Sequence, residues 1–199
     1  MGNGIDESQQ YLVLENNTRN KYASVVWSHK IQEKQADIYS KSYKRLETAN
    51  ILSASLTSVG IISLIFTDQL WVKIISAILS FVTIFVSSYF KAFNLSDLRK
   101  HHKASANQLL QIRDRLEMLL LEIKIRRKQP EEILQYYKEL SEELHKCYDE
   151  APPTTDKAVK LARKALNVTK DNSFSDDEID SFLPETLRRS FLYNIKSGC

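Results

Sequence analysis

The chain has 199 residues, a net charge of +3, four glycines, four prolines and two cysteines. So few glycines and prolines exclude a turn-rich sheet protein and favour a few long helices, because tight turns depend on those two residue types. Two cysteines are too few for a disulfide framework, and the modest net charge does not by itself indicate nucleic-acid binding.

Residues 1–47 are predicted to form an N-terminal cytoplasmic helix of mixed charge. The first residues, MGNGID, lack the basic start and apolar stretch of a signal peptide. Asp6 stands where a myristoylation site requires Ser or Thr. We therefore expect neither a cleaved leader nor a lipid anchor at this end.

Two apolar runs follow and are predicted to form a transmembrane hairpin, 48–90. Residues 48–67 carry no charge, and at about 1.5 Å per residue they make a helix of roughly 30 Å, the thickness of a hydrocarbon core. The second span covers about 70–90 if the Lys73 amine reaches the interface, and Trp71 and Tyr89 suit its two ends. The alternative is a buried hairpin in a soluble bundle, but soluble helices of this length carry a charged face that neither run has.

Basic residues flank the predicted hairpin. Residues 91–128 hold ten basic and four acidic side chains directly after the second run, whereas the turn between the spans holds only Asp68 and Lys73. Because basic loops stay inside, both termini are expected in the cytoplasm. The predicted interfacial anchors are Arg45, Trp71, Lys73, Lys91, Arg99 and Lys100.

Small polar residues recur along one face of each span. Such a face either packs helices closely or lines a hydrated path, and the sequence leaves both interpretations open. Two helices enclose no lumen, so a pore requires a homo-oligomer with at least about four to six helices in its ring. The residues of the two faces are Asn50, Ser53, Thr57 and Gly60 in the first span, and Ser76, Ser80, Thr83 and Ser87 in the second.

Residues 91–150 are predicted to form a cytoplasmic helical hairpin. Without glycine or proline between 91 and 129, the second span is expected to continue as one long helix. Its apolar positions alternate spacings of four and three, a heptad seam that is weak at His102 and Ser105. The partner is either the N-terminal helix of the same chain, in a coiled-coil-like bundle, or the same helix of another subunit. The seam, also our candidate oligomer contact, contains Leu98, Leu109, Ile112, Leu116, Leu119 and Ile123.

Local signals mark the helices after the seam. Pro130 suits the first position of a helix that folds back on its predecessor. Residues 151–199 are predicted to form a linker, APPTT, followed by small helices, the first at about 156–168. Ser175 and Glu178 form a capping box, and Pro184 starts a last helix that includes Leu187 and Phe191.

No constellation typical of an enzyme is present, so we expect no enzymatic activity, no cofactor and no metal site. The chain lacks a glycine-rich phosphate loop, a cysteine pair and the HExxH and GxSxG motifs. His101 and His102 point about 100° apart on a helix, which favours interfacial cations over a metal site. The basic stretch from Arg113 to Lys128 suits a helix C-terminus, and direct binding of a nucleotide or nucleic acid is its alternative.

Several segments resemble the SLATT family, the two-span effectors of bacterial nucleotide-signalling and conflict systems. The resemblance covers about residues 10–190 and is one of layout and diffuse pattern. It includes the pair of spans and the segments YKRLE (43–47), DLRKHHKA (97–104), YDEAPPTTD (148–156) and SDDEIDSFLP (175–184).

The resemblance implies a multi-pass protein of the bacterial inner membrane that forms pores or otherwise breaks membrane integrity in antiphage abortive infection. It would act when a partner enzyme, such as a cyclic-oligonucleotide synthase or a reverse transcriptase, senses infection. The alternative is a membrane-anchored adaptor, whose spans only tether a helical platform for a soluble partner. The family supplies no catalytic residues to carry over.

Overall fold

The structure is a computed structural model that describes residues 6–66, 69–171 and 174–188. These residues form helices and no strands, which confirms the predicted all-α class. The chain divides into two compact units, one up to Ala162 and one from Arg163 onward. The helices are α1 (Glu7–Phe66), α2 (Leu70–Phe93), α3 (Leu95–Ile125), α4 (Pro130–Glu150), α5 (Asp156–Asn167) and α6 (Asp176–Phe182), followed by a 3-10 turn (Glu185–Leu187).

The first helix is continuous across the predicted boundary between residues 47 and 48. It has 60 residues, so its length is about 90 Å. Gly60 is its only glycine and it contains no proline, so nothing in its sequence interrupts the backbone ladder. One rigid element therefore carries both the N-terminal segment and most of the first predicted span.

The predicted continuation of the second span into the cytoplasmic helix is wrong. α2 ends at Phe93 and α3 begins at Leu95, because Asn94 has left-handed backbone angles of φ 37° and ψ 53°. The Asn94 side chain accepts a hydrogen bond from the backbone N–H of Asp97 and so caps α3. Asparagine adopts this conformation more readily than other non-glycine residues, and it is among the best N-cap residues.

The core of the first unit lies between α1, α3 and α4. The heptad seam of α3 is buried from His102 to Ile123, and only Leu98 at its membrane-proximal end is half-buried. Ile133 and Leu140 of α4 and Val25 of α1 complete this core and are fully buried. The seam is thus occupied by helices of its own chain, and in this arrangement its residues are not available for contacts between subunits.

The turn between α3 and α4 is fixed to the N-terminal end of α1. Arg126 ends α3 in a left-handed conformation, with its guanidinium 5.2 Å from the centre of the Tyr11 ring. The Tyr11 hydroxyl donates a hydrogen bond of 2.8 Å to the Lys128 carbonyl. Pro130 then occupies the first turn of α4, as predicted.

The second unit contains the end of α5, the helix α6 and the 3-10 turn. The capping box is present: the Glu178 N–H donates to the Ser175 hydroxyl, and the Ser175 N–H donates to the Glu178 carboxylate at 2.8 Å. After Pro184 the described residues form only the 3-10 turn, where a longer helix was expected. Phe191, predicted to belong to that helix, lies outside the described residues.

Candidate functional site

The helix pair α1–α2 exposes a largely apolar outer surface. By length and composition, Leu70–Tyr89 is the one helix among the described residues that could cross a bilayer, with a mean hydropathy of 2.1. Only 11% of this window is buried, whereas a core helix of a soluble protein would be mostly covered. The exposed apolar side chains include Ile51, Leu52, Leu56, Val59 and Ile62 of α1, and Trp71, Ile75, Ile78, Phe81, Ile84 and Phe85 of α2.

The first predicted span, 48–67, is only partly described. The side chains of residues 61 and 63–66 and all of residues 67 and 68 lie outside the described residues. The part from 48 to 60 is helical, with its large apolar side chains exposed. The two helices α1 and α2 pack against each other, whereas the hairpin of two membrane spans stays a prediction.

The two polar faces lie against each other inside the helix pair. A Cβ atom placed on Gly60 would overlap the Ser76 hydroxyl and lie 3.3 Å from the Ser76 Cβ, so the two helices approach closely here. Nearer the bundle, the Ser87 hydroxyl donates to the Asn50 side-chain oxygen at 3.3 Å. Ser76 is buried, Ser87 is exposed, and the other members, Asn50, Ser53, Thr57, Gly60, Ser80 and Thr83, are half-buried.

Among the described residues, most hydroxyls of the helix pair that form a hydrogen bond donate it to their own helix. Thr57 donates to the Ser53 carbonyl at 2.8 Å, and Thr83 donates to the Leu79 carbonyl at 2.9 Å. On the outer surface, Ser55 and Ser58 do the same toward residues one turn earlier. A hydroxyl satisfied in this way costs little in lipid and leaves the helix face smooth enough for close packing. The geometry supports the packing interpretation of the polar faces within one chain.

The predicted anchors cluster where the helix pair meets the bundle or at the opposite end of α2. Trp71 is 75% exposed near the start of α2, and Lys73 is exposed beside it. At the bundle end Arg45 is exposed, and the Arg99 guanidinium lies 5.9 Å from the centre of the Tyr43 ring. Lys100 forms an ion pair of 3.3 Å with Asp97. The side chain of Lys91 lies outside the described residues.

A buried polar layer crosses the bundle below the helix pair. The Gln32 Nε2 donates to the Pro152 carbonyl at 3.2 Å, which directs its Oε1 toward His102 Nδ1, 2.6 Å away. Because that oxygen can only accept, His102 carries its proton on Nδ1. The His102 ring also stacks on Tyr39, with 5.4 Å between ring centres. Burial lowers the pKa of His102 below its ordinary value of 6.5, and the nearby His101 adds to this shift.

The same layer fixes the linker after α4. Gln35 is 1% exposed, and its Oε1 accepts hydrogen bonds from both the backbone N–H of Thr155, at 2.9 Å, and the Thr155 hydroxyl, at 2.8 Å. The Nδ1 atom of His29 is buried without a hydrogen-bond partner among the described residues, and burial lowers the pKa of this side chain. Sequence reasoning missed Gln32 and Gln35. The signal that points to Gln32 is the weak part of the seam, because the His102 ring needs a polar partner once it is buried.

Much of the basic stretch is engaged inside the chain. Arg115 pairs with Glu143 and donates to the Tyr136 hydroxyl at 3.2 Å, and Lys128 pairs with Glu122 at 3.0 Å. Arg113 pairs with its neighbour Asp114 at 2.7 Å. These contacts support a structural role for the stretch at the end of α3. Among the described residues, no group of three or more His, Cys, Asp or Glu side chains is arranged to hold a metal ion.

The comparison with protein families agrees with this architecture. The model of the SMODS and SLOG-associating 2TM effector domain family 4 matches residues 14–178, which is most of the chain. No curated protein and no solved structure matches the sequence. The family description gives two transmembrane segments and an effector role in association with SMODS and SLOG proteins. The chain therefore belongs to the SMODS and SLOG-associating 2TM effector domain family 4.

Proposed function

We propose that the chain crosses the bacterial inner membrane twice, through the end of α1 and through α2, with both termini in the cytoplasm. It oligomerises into a pore, or otherwise breaks membrane integrity, when a partner defence enzyme triggers it. The partner is a cyclic-oligonucleotide synthase or a reverse transcriptase, and the chain itself carries out no catalysis and binds no cofactor. Membership of a two-span effector family supports the membrane location and the effector class.

The observation that carries this proposal is the continuity of α1. The helix has 60 residues and takes part both in the buried core, at Val25, and in the close contact with α2, at Gly60. A displacement of its cytoplasmic part is therefore transmitted along a rigid rod to the helix pair. The two polar faces are packed together here, so we take this arrangement as the closed state.

Opening then requires a second arrangement in which the polar faces of several subunits surround a hydrated path. A ligand or partner shifts such an equilibrium only by its differential affinity for the two states, and a change from 1:99 to 99:1 needs about 5.5 kcal/mol. Contacts of the trigger with the cytoplasmic bundle are the source of this energy. The seam of α3 is already occupied, so those contacts involve the outer surface of the bundle.

Two matched double variants test the pore. Ser80→Leu with Thr83→Leu places bulky apolar groups on the inner face of α2, and we expect it to abolish membrane depolarisation after triggered expression. Ser55→Leu with Ser58→Leu adds the same groups to the outer face of α1, where both hydroxyls are exposed, and should leave depolarisation unchanged. Membrane fractionation must show equal insertion of both. Equal depolarisation by the two variants would contradict the assignment of Ser80 and Thr83 to the pore lining.

An isosteric pair separates a hydrated lining from packing volume. Ser80→Ala with Thr83→Val keeps the size of the side chains and removes both hydroxyls. We expect lower leakage from this variant if the hydroxyls face water in the open state. Full leakage would assign the polar faces to packing alone.

The adaptor is the second candidate, and one surface of α3 favours it. Met118, Leu121 and Ile125 form an exposed apolar stripe, roughly 35–45 Å along the helix from its membrane end. A soluble partner could bind this stripe while the helix pair serves only as an anchor. Replacing residues 48–90 by an unrelated two-span anchor would preserve adaptor function and destroy pore function.

A further inference from the structure

A groove lies where the helix pair joins the bundle, and it is bounded by α1, the end of α2 and the start of α3. Its volume is about 420 Å³, within the range of small-ligand pockets. Its apolar wall contains Ile38, Leu46, Phe85, Val86 and Leu95. Tyr89 and Leu95, which line the groove, lie on either side of the left-handed turn at Asn94.

The groove is continuous with the surface that we assign to the membrane. Val86 faces inward and is 7% exposed, while its neighbour Phe85 faces outward, toward the proposed lipid, and is 61% exposed. Tyr89, at the predicted end of the second span, also lines it. An opening at this height faces the cytoplasmic ends of lipid acyl chains.

The described side chains give the groove a positive charge. Among the side chains that the structure describes, Arg45 is the one charged residue that lines it, and no carboxylate does; the remaining polar groups are the hydroxyls of Ser42, Tyr39 and Tyr89. A guanidinium at the rim of an apolar slot complements a phosphate attached to a hydrocarbon chain. Another groove, between α1 and α3, is different because charges of both signs line it: Arg99, Lys100 and Lys103 together with Asp37.

We propose that the groove binds an anionic phospholipid of the cytoplasmic leaflet, with an acyl chain against Phe85 and Val86 and the phosphate on Arg45. The proposal rests on the membrane insertion given under the proposed function. Tyr39 lines the groove and stacks on His102. The bound lipid would therefore contact the Tyr39 ring. Through His102 and Gln32, that ring is connected to Pro152 of the linker.

The test compares lipid retention by the full-length protein in vesicles of phosphatidylcholine with and without phosphatidylglycerol, followed by native mass spectrometry. We expect Arg45→Gln to lower the retention of phosphatidylglycerol about fivefold, because one basic side chain near a membrane surface contributes about 1 kcal/mol. Arg99→Gln is the matched control, since it removes a guanidinium at the same level that does not line this groove. Arg99 contributes only general attraction to the anionic surface, so Arg99→Gln should lower retention less than Arg45→Gln does.

A filling variant tests the apolar part of the site. Ser42→Phe should lower the retention of both lipids, because the ring occupies the slot of the acyl chain. Equal losses in Arg45→Gln and Arg99→Gln, or full retention in Ser42→Phe, would overturn the proposal and leave only general attraction to an anionic surface. Fractionation of the wild type is scored separately: a wild-type chain outside the membrane fraction contradicts the proposed function, whereas inserted variants with unaltered retention contradict the groove alone.

Discussion

Single residues set the distance between the packed helices α1 and α2. Gly60 has no side chain, and the Ser76 hydroxyl occupies the space that a Cβ atom would take. Small residues at a helix contact allow close backbone approach, which is the main source of packing energy between helices in lipid. The sequence predicted that both residues lie on a polar face. That the two faces meet at this pair is a property of the folded helix pair.

Enlarging Gly60 should therefore separate the helices. We expect Gly60→Leu to destabilise the pair by about 1–3 kcal/mol, the usual cost of overpacking, measured by unfolding in detergent micelles. Gly60→Ala should cost less, because the Ser76 hydroxyl can rotate away. Ser58→Leu, on the exposed outer side of α1, adds the same bulk as a control. If Gly60→Leu were as stable as Ser58→Leu, the close contact would not exist in the protein.

At the scale of elements, the break between α2 and α3 depends on Asn94. The residues on both sides of it are helical. Because residues 91–129 lack glycine and proline, the sequence predicted one continuous helix. Asn94 instead adopts the left-handed conformation and caps α3 through the Asp97 N–H. The break directs α3 along α1, which buries the seam inside the chain.

The substitution Asn94→Ala should destabilise the left-handed turn and the first turn of α3. Loss of the cap and the strain of a left-handed alanine together cost about 1–3 kcal/mol. Asn94→Gly is the control, because glycine keeps the backbone conformation and loses only the cap. We expect hydrogen exchange at the amides of 95–98 to increase more in the alanine variant than in the glycine variant. The reverse order would show that the left-handed turn is absent.

Other elements were predictable because their signals are local. Pro130 fixes the start of α4, and Ser175 with Glu178 fixes the start of α6, since each signal acts on its own first turn. The break at Asn94 was not predicted, because a capping residue within a run that lacks glycine and proline is also compatible with a continuous helix. The balance between the two depends on whether α3 can pack against α1.

At the scale of the whole molecule, the buried histidines are expected to make the stability of the bundle depend on pH. His102 is 1% exposed and His29 is 8% exposed, and burial disfavours the charged form of both. In the unfolded chain these two histidines take up protons near pH 6.5, whereas in the folded chain they do so only at lower pH. Their contribution to stability is therefore complete above pH 6.5 and declines as the pH falls below it.

We expect the free energy of unfolding of the detergent-solubilised protein to fall between pH 6.5 and 5, by at most about 1.4 kcal/mol per pH unit for each histidine. His102→Gln should flatten this dependence, because glutamine does not titrate and can still donate to Gln32. His145→Gln, at an exposed position of α4, is the control and should leave the slope unchanged. The same slope in all three proteins would assign the pH dependence to other groups.

The sequence by itself determined the all-α class, the two apolar runs with their polar faces, the seam of α3 and the family. These properties depend on composition and periodicity, which are fixed residue by residue along the chain. Only the tertiary structure decided that the seam pairs with α1 of the same chain, that the polar faces pack on each other, and that Gln32 and Gln35 join His102 and Thr155 in one layer. Each of these contacts joins residues distant in sequence, and its existence depends on the direction in which α2, α3 and α4 leave their turns.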